Sequence, residues 1–114
     1  MIDPASIQVG DIHLINLDDI SHNEQAGIRP AIIIAKHIET NLFMVIPMTS
    51  SDISRFPYSQ IIKVTNNNGL KNDSYAMIFQ MRAIAFKRII NRIGKIDPSD
   101  MSILKVRLKN YLKL

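Results

Sequence analysis

The run Ala31-Ile32-Ile33-Ile34-Ala35 constrains the fold more than any other stretch of the chain. It is apolar at every position and rich in β-branched side chains, which pack well on a pleated surface and poorly in a helix. Side chains of a strand alternate between two faces, so a strand with no polar position needs an apolar partner on each side. The run therefore predicts a central strand buried on both faces. Pro30, just before it, fixes its own φ and biases Arg29 toward extended geometry. Arg29 is thereby held at the rim where a loop re-enters the sheet.

That loop, Asp18 to Arg29, contains the polar segment His22-Asn23-Glu24-Gln25-Ala26-Gly27-Ile28-Arg29-Pro30. It offers an imidazole, two amides, a carboxylate, a glycine hinge and a guanidinium at the end of a rigid element, a common place for a site. Ile12 to Leu17 alternates as a first strand before it, and Leu42 to Ile46 returns as a third strand after Ala31–Ala35. Gln60 to Val64 reads as a fourth strand, followed by the tight-turn signal Asn66-Asn67-Asn68-Gly69. Ser74 to Phe79 and Arg82 to Phe86 read as further strands. Ile89 to Ile96 fits neither the strand nor the helix period. Asp97-Pro98-Ser99-Asp100 then places an N-cap and a first-turn proline ahead of Met101, Leu104, Leu108, Tyr111 and Leu112, which share one helical stripe. Short strands closed by one terminal helix predict a mainly β fold, a small antiparallel barrel with helical decoration.

With 114 residues and no cysteine, the chain is expected to form one domain, 1–114, with a core that needs no disulfide. Absent cysteines exclude cysteine zinc sites and fit a reducing compartment. His13, His22 and His37 have no metal-ligand spacing, so no metal is expected. Four glycines without a phosphate-cradling loop make a nucleotide cofactor unexpected. No secretory signal is visible, and the longest apolar run is far short of the ~20 residues of a membrane helix. A cytoplasmic protein that does not enter membranes is expected.

Charge is unevenly spread. Residues 1–28 hold five acids and no Lys or Arg, whereas residues 87–114 hold eight basic residues against two acids. Such a split points either to a polyanionic or acidic partner or to lysines on a solvated helix.

Arg29 precedes the second strand, and Thr49-Ser50-Ser51 follows the third. If those strands are antiparallel, the start of one lies beside the end of the other, and guanidinium and hydroxyl share a rim. A fixed cation beside a hydroxyl suits a phosphate. The alternative is that Thr49 only satisfies the loop backbone.

Gly10-Asp11-Ile12, Glu24-Gln25-Ala26-Gly27-Ile28-Arg29-Pro30, Pro47-Met48-Thr49-Ser50, Asp73-Ser74 and Gln80-Met81-Arg82 together resemble the ordered motif set of the MazF/PemK/Kid toxins. The resemblance runs from about Val9 to the end of the chain. It implies an SH3-like barrel, a homodimer, and ribosome-independent, metal-independent cleavage of single-stranded mRNA at a short sequence, as the toxin of a type II toxin–antitoxin system. It also implies a cognate antitoxin whose acidic, flexible tail covers the active groove. By motif match, Arg29 and Thr49 take the catalytic positions, and Glu24, Gln25, Ser50, Gln80 and Arg82 take site-forming or RNA-contacting ones. Ser51, beside Ser50, is placed with the RNA-binding group.

Cleavage of this kind uses the RNA 2′-hydroxyl as nucleophile and leaves a 2′,3′-cyclic phosphate and a 5′-hydroxyl. It needs a charged phosphorane stabilised and two protons moved. A guanidinium suits the first task and not the second. Thr49 would bond a phosphate oxygen or hold the 2′-hydroxyl. Several relatives carry an acid just before the glutamine of the Gln-x-Arg motif, where this chain has Phe79. His22 stands where relatives often have Gly-Ser, and an imidazole titrates near neutrality, so His22 or Glu24 is the candidate for proton transfer. Two rival readings remain from the residues: a catalytically silent barrel that binds RNA or a regulator, and a gyrase poison of the CcdB kind. The second lacks its C-terminal tryptophan here, since the chain has no Trp.

Overall fold

A computed structural model of the chain describes residues 2–18 and 27–114. His22, Glu24 and Gln25 lie outside the described residues. Seven strands and one helix follow in order: β1 Asp11–Asn16, β2 Ile28–His37, β3 Leu42–Thr49, β4 Ser59–Ile62, β5 Ser74–Met77, β6 Arg82–Ala85, β7 Ile89–Lys95 and α1 Pro98–Leu112. The sheet runs β4-β5-β3-β2-β1-β7, with β6 also on β3, and every pairing is antiparallel. The expected mainly antiparallel β fold with a C-terminal helix is what forms. Among the described residues the ladder does not close on itself, so the barrel is an open one.

Strand β3 organises the sheet. One edge pairs with β2 over Leu42–Pro47; the other is shared, first with β6 over Leu42–Val45 and then with β5 over Met48–Thr49. The third strand, expected over Leu42–Ile46, continues through Pro47 to Thr49. Pro47 falls in the gap between the β6 and β5 pairings, where a proline is tolerated.

The two-sided burial expected of Ala31–Ala35 is found over Ala31, Ile32 and Ile33, whereas Ile34 is half-buried and Ala35 exposed. On one side Ile32 packs with Ile12, Ile46 and Met48, and on the other Ala31 and Ile33 pack with Ile15, Phe43 and Val45. Helix α1 closes the first side with Leu104, which is buried, and with Met101, Leu108 and Tyr111. Leu112, expected on that stripe, is exposed instead. Asp97 sits at the N-cap position without capping: its carboxylate accepts a hydrogen bond from the Asn67 side-chain amide at 3.0 Å. No helix among the described residues is long and apolar enough to cross a membrane.

The ambiguous stretch Ile89–Ile96 is strand through Lys95. Its pairing with β1 shifts register twice, between Ile12 and His13 and between Leu14 and Ile15. Each irregularity resets the inward–outward alternation, so no single period fits the run. The pairing also brings the acidic start of the chain against its basic end. Arg92 Nε lies 3.2 Å from buried Asp11, and Arg88 donates to the carbonyls of Asn16 and Asp18. Part of the charge split is thus neutralised inside the molecule.

Candidate phosphate-binding cleft

The described part of the β1–β2 connection is clamped at its base. Leu17 N–H donates to Gly27 O at 2.9 Å, and Gly27 N–H donates to the Asp18 carboxylate at 3.1 Å. Gly27 has φ +82°, a left-handed conformation that glycine adopts without a Cβ penalty. From this clamp Arg29 enters β2 opposite Ile15. On its other side the β2–β3 register runs Ile33↔Val45, Ile32↔Ile46, Ala31↔Pro47, and beyond that last pair Arg29 and Thr49 line the same cleft.

Arg29, Thr49 and Ser50 line one cleft of about 350 Å³. Leu14, Met48 and Ile93 form apolar parts of its wall, which keep water away from the polar groups and strengthen their electrostatics. The remaining polar wall comes from Lys71 and Asn72, just before β5, and from Ser74, its first residue. No acid is among the described residues that line the cleft. The cleft therefore presents two cations, three hydroxyls and an amide, a donor-rich set for an anion with several oxygens.

Thr49 is nearly buried, and its Oγ accepts the Ser51 N–H at 3.2 Å. It thus satisfies the loop backbone and lines the cleft at once. A hydroxyl has one proton and two lone pairs, so with one lone pair occupied by Ser51 the proton remains available to a ligand. Beyond it, Asp52 accepts the Ser54 N–H at 3.0 Å, and that bond, with one from the Ser54 hydroxyl, holds its carboxyl below the usual range.

Of the remaining described residues selected from the sequence, Ser51, Gln80 and Arg82 are not among those that line this cleft. Ser51 is exposed and meets it only through its backbone bond to Thr49. Arg82 pairs with Val45, four residues back along β3 from Thr49. An even offset puts Arg82 and Thr49 on the same sheet face, about 13 Å apart at ~3.3 Å per residue. Gln80 ends the 3₁₀ turn Ile78–Gln80, between β5 and β6. Phe79, in that turn, lies against Phe56 with ring centroids 6.0 Å apart, in a second, aromatic groove with Pro57 and Tyr58.

Lys71 and Asn72 were not singled out from the sequence, and Ser74 was noted only as part of a motif. The Asn66–Gly69 turn signal marks where their segment bends. Nothing local says that the bend lays the segment against β7, more than twenty residues further on.

A cationic, hydroxyl-rich cleft where two central antiparallel strands meet defines a class, a small β protein whose cleft suits a phosphate-like anion. Within that class the family is specific. Residues 8–112 match the family of PemK-like, MazF-like toxins of type II toxin–antitoxin systems, and the chain belongs to it. It is 27% identical over 113 residues to endoribonuclease MazF9 of Mycobacterium tuberculosis, covering 92% of this chain and 95% of that protein. The crystal structure of MazF from Deinococcus radiodurans superposes with a TM-score of 0.81 at 17% identity, covering 95% of this chain and 97% of the other. A mycobacterial endoribonuclease in complex with its cognate antitoxin superposes with a TM-score of 0.74 at 14% identity, over 96% and 97%.

Proposed function

We propose that the cleft cuts single-stranded mRNA at a short sequence, with the RNA 2′-hydroxyl as nucleophile, leaving a 2′,3′-cyclic phosphate and a 5′-hydroxyl. The observation that carries this reading is the meeting of Arg29 and Thr49 in one cleft. The 2′-oxygen attacks phosphorus, its proton passes to a base, and the departing 5′-oxygen takes up a proton. Arg29 meets the charge that builds on the phosphorane oxygens with a fixed, always protonated fork. Thr49, oriented by its bond from Ser51, donates its hydroxyl proton to a phosphate oxygen.

Phe79 packs in the aromatic groove and has no proton to exchange, so proton transfer falls to His22 or Glu24. Ser50 and Ser51 hold the strand beside the scissile bond, while Gln25, Gln80 and Arg82 contact neighbouring nucleotides. The same-face position of Arg82 along β3 supports this, because a bound strand can follow that face. The active species is a homodimer, and its acidic-tailed antitoxin blocks the cleft. The mycobacterial relative caught with its cognate antitoxin supports such a partner.

The test is incubation of the purified protein with a long RNA in EDTA. Discrete fragments with 5′-hydroxyl ends are expected. Arg29→Ala and Thr49→Ala should each slow cleavage by about 10²- to 10³-fold, the usual loss of a donor aimed at developing charge. Intact RNA at stoichiometric protein would refute the nuclease and leave a silent RNA-binding barrel.

A further inference from the structure

We infer that Lys71 is a second phosphate-binding cation of the cleft, contacting the RNA strand from the wall opposite β2; the inference rests on the RNA reading of the same site. Two observations carry it. The first is composition: Lys71 lines the cleft with Arg29, and no lining residue among the described residues is acidic. Nor does Lys71 make an ion pair or a side-chain hydrogen bond among the described residues, so its ammonium is not committed elsewhere. Asp73, two residues on, is occupied by accepting the Val64 N–H at 2.8 Å.

The second observation is that the wall carrying Lys71 is built rather than draped. Asn68 is fully buried; its side chain donates to Lys63 O at 2.8 Å and accepts from Leu70 N–H at 3.1 Å. Gly69 has φ +70° and lies against the Ile93 backbone. Lys95 N–H donates to Asn67 O at 2.9 Å, which pins the turn to β7. Leu70 is buried in the α1-side core. On the far side Ser74 Oγ donates to Asn72 O at 2.9 Å. The exposed Lys71 side chain projects from a backbone fixed on both flanks. A point-charge ammonium on such a wall complements the planar fork of Arg29: the fork sets geometry, and the ammonium adds attraction for whichever phosphate oxygen comes near.

Binding and cleavage are measured separately. The binding probe is a random-sequence 2′-O-methyl RNA, which presents phosphates and lacks the nucleophile. For a cation that neutralises one phosphate of a single strand, Lys71→Met should reduce the slope of log affinity against log salt by about 0.7. Affinity at low salt should fall about tenfold or more, the usual range for a bond to a charged group. Single-turnover cleavage of a long RNA should fall with it, and Lys71→Arg should restore slope and affinity. A melting curve equal to wild type is expected for Lys71→Met, because the side chain is exposed. Lys71→Gln provides a second neutral variant if methionine alters folding.

A Lys71→Met protein with wild-type slope and affinity overturns the assignment, as does a wild-type protein that binds none of the probe. Failure of the parent reading looks different: wild-type protein cuts no RNA, while the salt slopes still decide the role of Lys71.

Discussion

Replacing Gly69 by alanine separates two costs that the cleft wall imposes. The residue has φ +70°, and a Cβ built there would overlap the Ile93 carbonyl oxygen and lie 2.6 Å from its carbonyl carbon. The left-handed conformation alone costs an alanine about 1–2 kcal/mol. Because the clashing atoms are backbone, the turn and β7 must move apart, which adds about 1–3 kcal/mol, as for other overpacked sites. The sum is about 2–5 kcal/mol, a large share of the ~5–15 kcal/mol by which a domain is stable. At roughly 4 °C per kcal/mol for this chain length, Tm should fall by about 8–20 °C. Gly27 provides the control. Its φ is +82°, but no described atom lies within 4 Å of a Cβ there, so Gly27→Ala should show only the conformational cost, about 4–8 °C. The assay is thermal melting of both variants beside wild type. Equal shifts for the two would refute the packing argument. Below both melting points, Gly69→Ala should also lose about 100-fold in cleavage, since a wall displaced by ~1 Å no longer meets the substrate in register.

Two further outcomes follow from buried groups. His13 is buried, with neither ring nitrogen hydrogen-bonded among the described residues. Burial pushes its pKa below the usual value, against the opposing pull of Asp11 at 3.6 Å. The unfolded chain then binds the proton more readily, so stability should fall as pH drops below about 6.5 toward the folded-state value. Urea midpoints of wild type and His13→Gln between pH 7.5 and 5.5 check this, and parallel pH slopes would rule it out. Leu104 is the buried anchor of α1, and Leu104→Ala should cost about 2–5 kcal/mol. A urea-midpoint change under 1 kcal/mol would mean that α1 is not held by this side chain.

Local reading succeeded where one period governs a segment. The alternation of Ile12 to Leu17 and the unbroken apolar run at Ala31–Ala35 each locate a strand, because burial acts on every second residue in the same way. It failed where partners change along a strand. The third strand was expected to stop at Ile46, and it continues to Thr49 where Met48 and Thr49 find a second partner in β5, far along the chain. Ile89–Ile96 looked periodless because its phase shifts belong to the pairing with β1. Asp97 was read as a cap because a competing amide, on Asn67, is thirty positions away.

For the candidate site, Arg29 and Thr49 were legible together. Each stands at an end of a strand, and consecutive antiparallel strands bring such ends to one rim without help from the rest of the chain. The opposite wall was not legible. Lys71 and Ser74 reach the cleft only because Gly69 lets the chain close on Ile93 and buried Asn68 holds the turn, contacts between segments far apart in sequence. The charge split shows the same division. Its existence is composition, but that Arg92 and Arg88 turn inward to Asp11 and the β1 carbonyls, while Lys71 faces the cleft, follows from which strands pair. The sequence by itself determined the central strand, its two-sided core, and the guanidinium and hydroxyl at its rim, because each depends on neighbours in the chain. Only the tertiary structure decided which side chains face them across the cleft, since that depends on strand order and on a turn docked against β7.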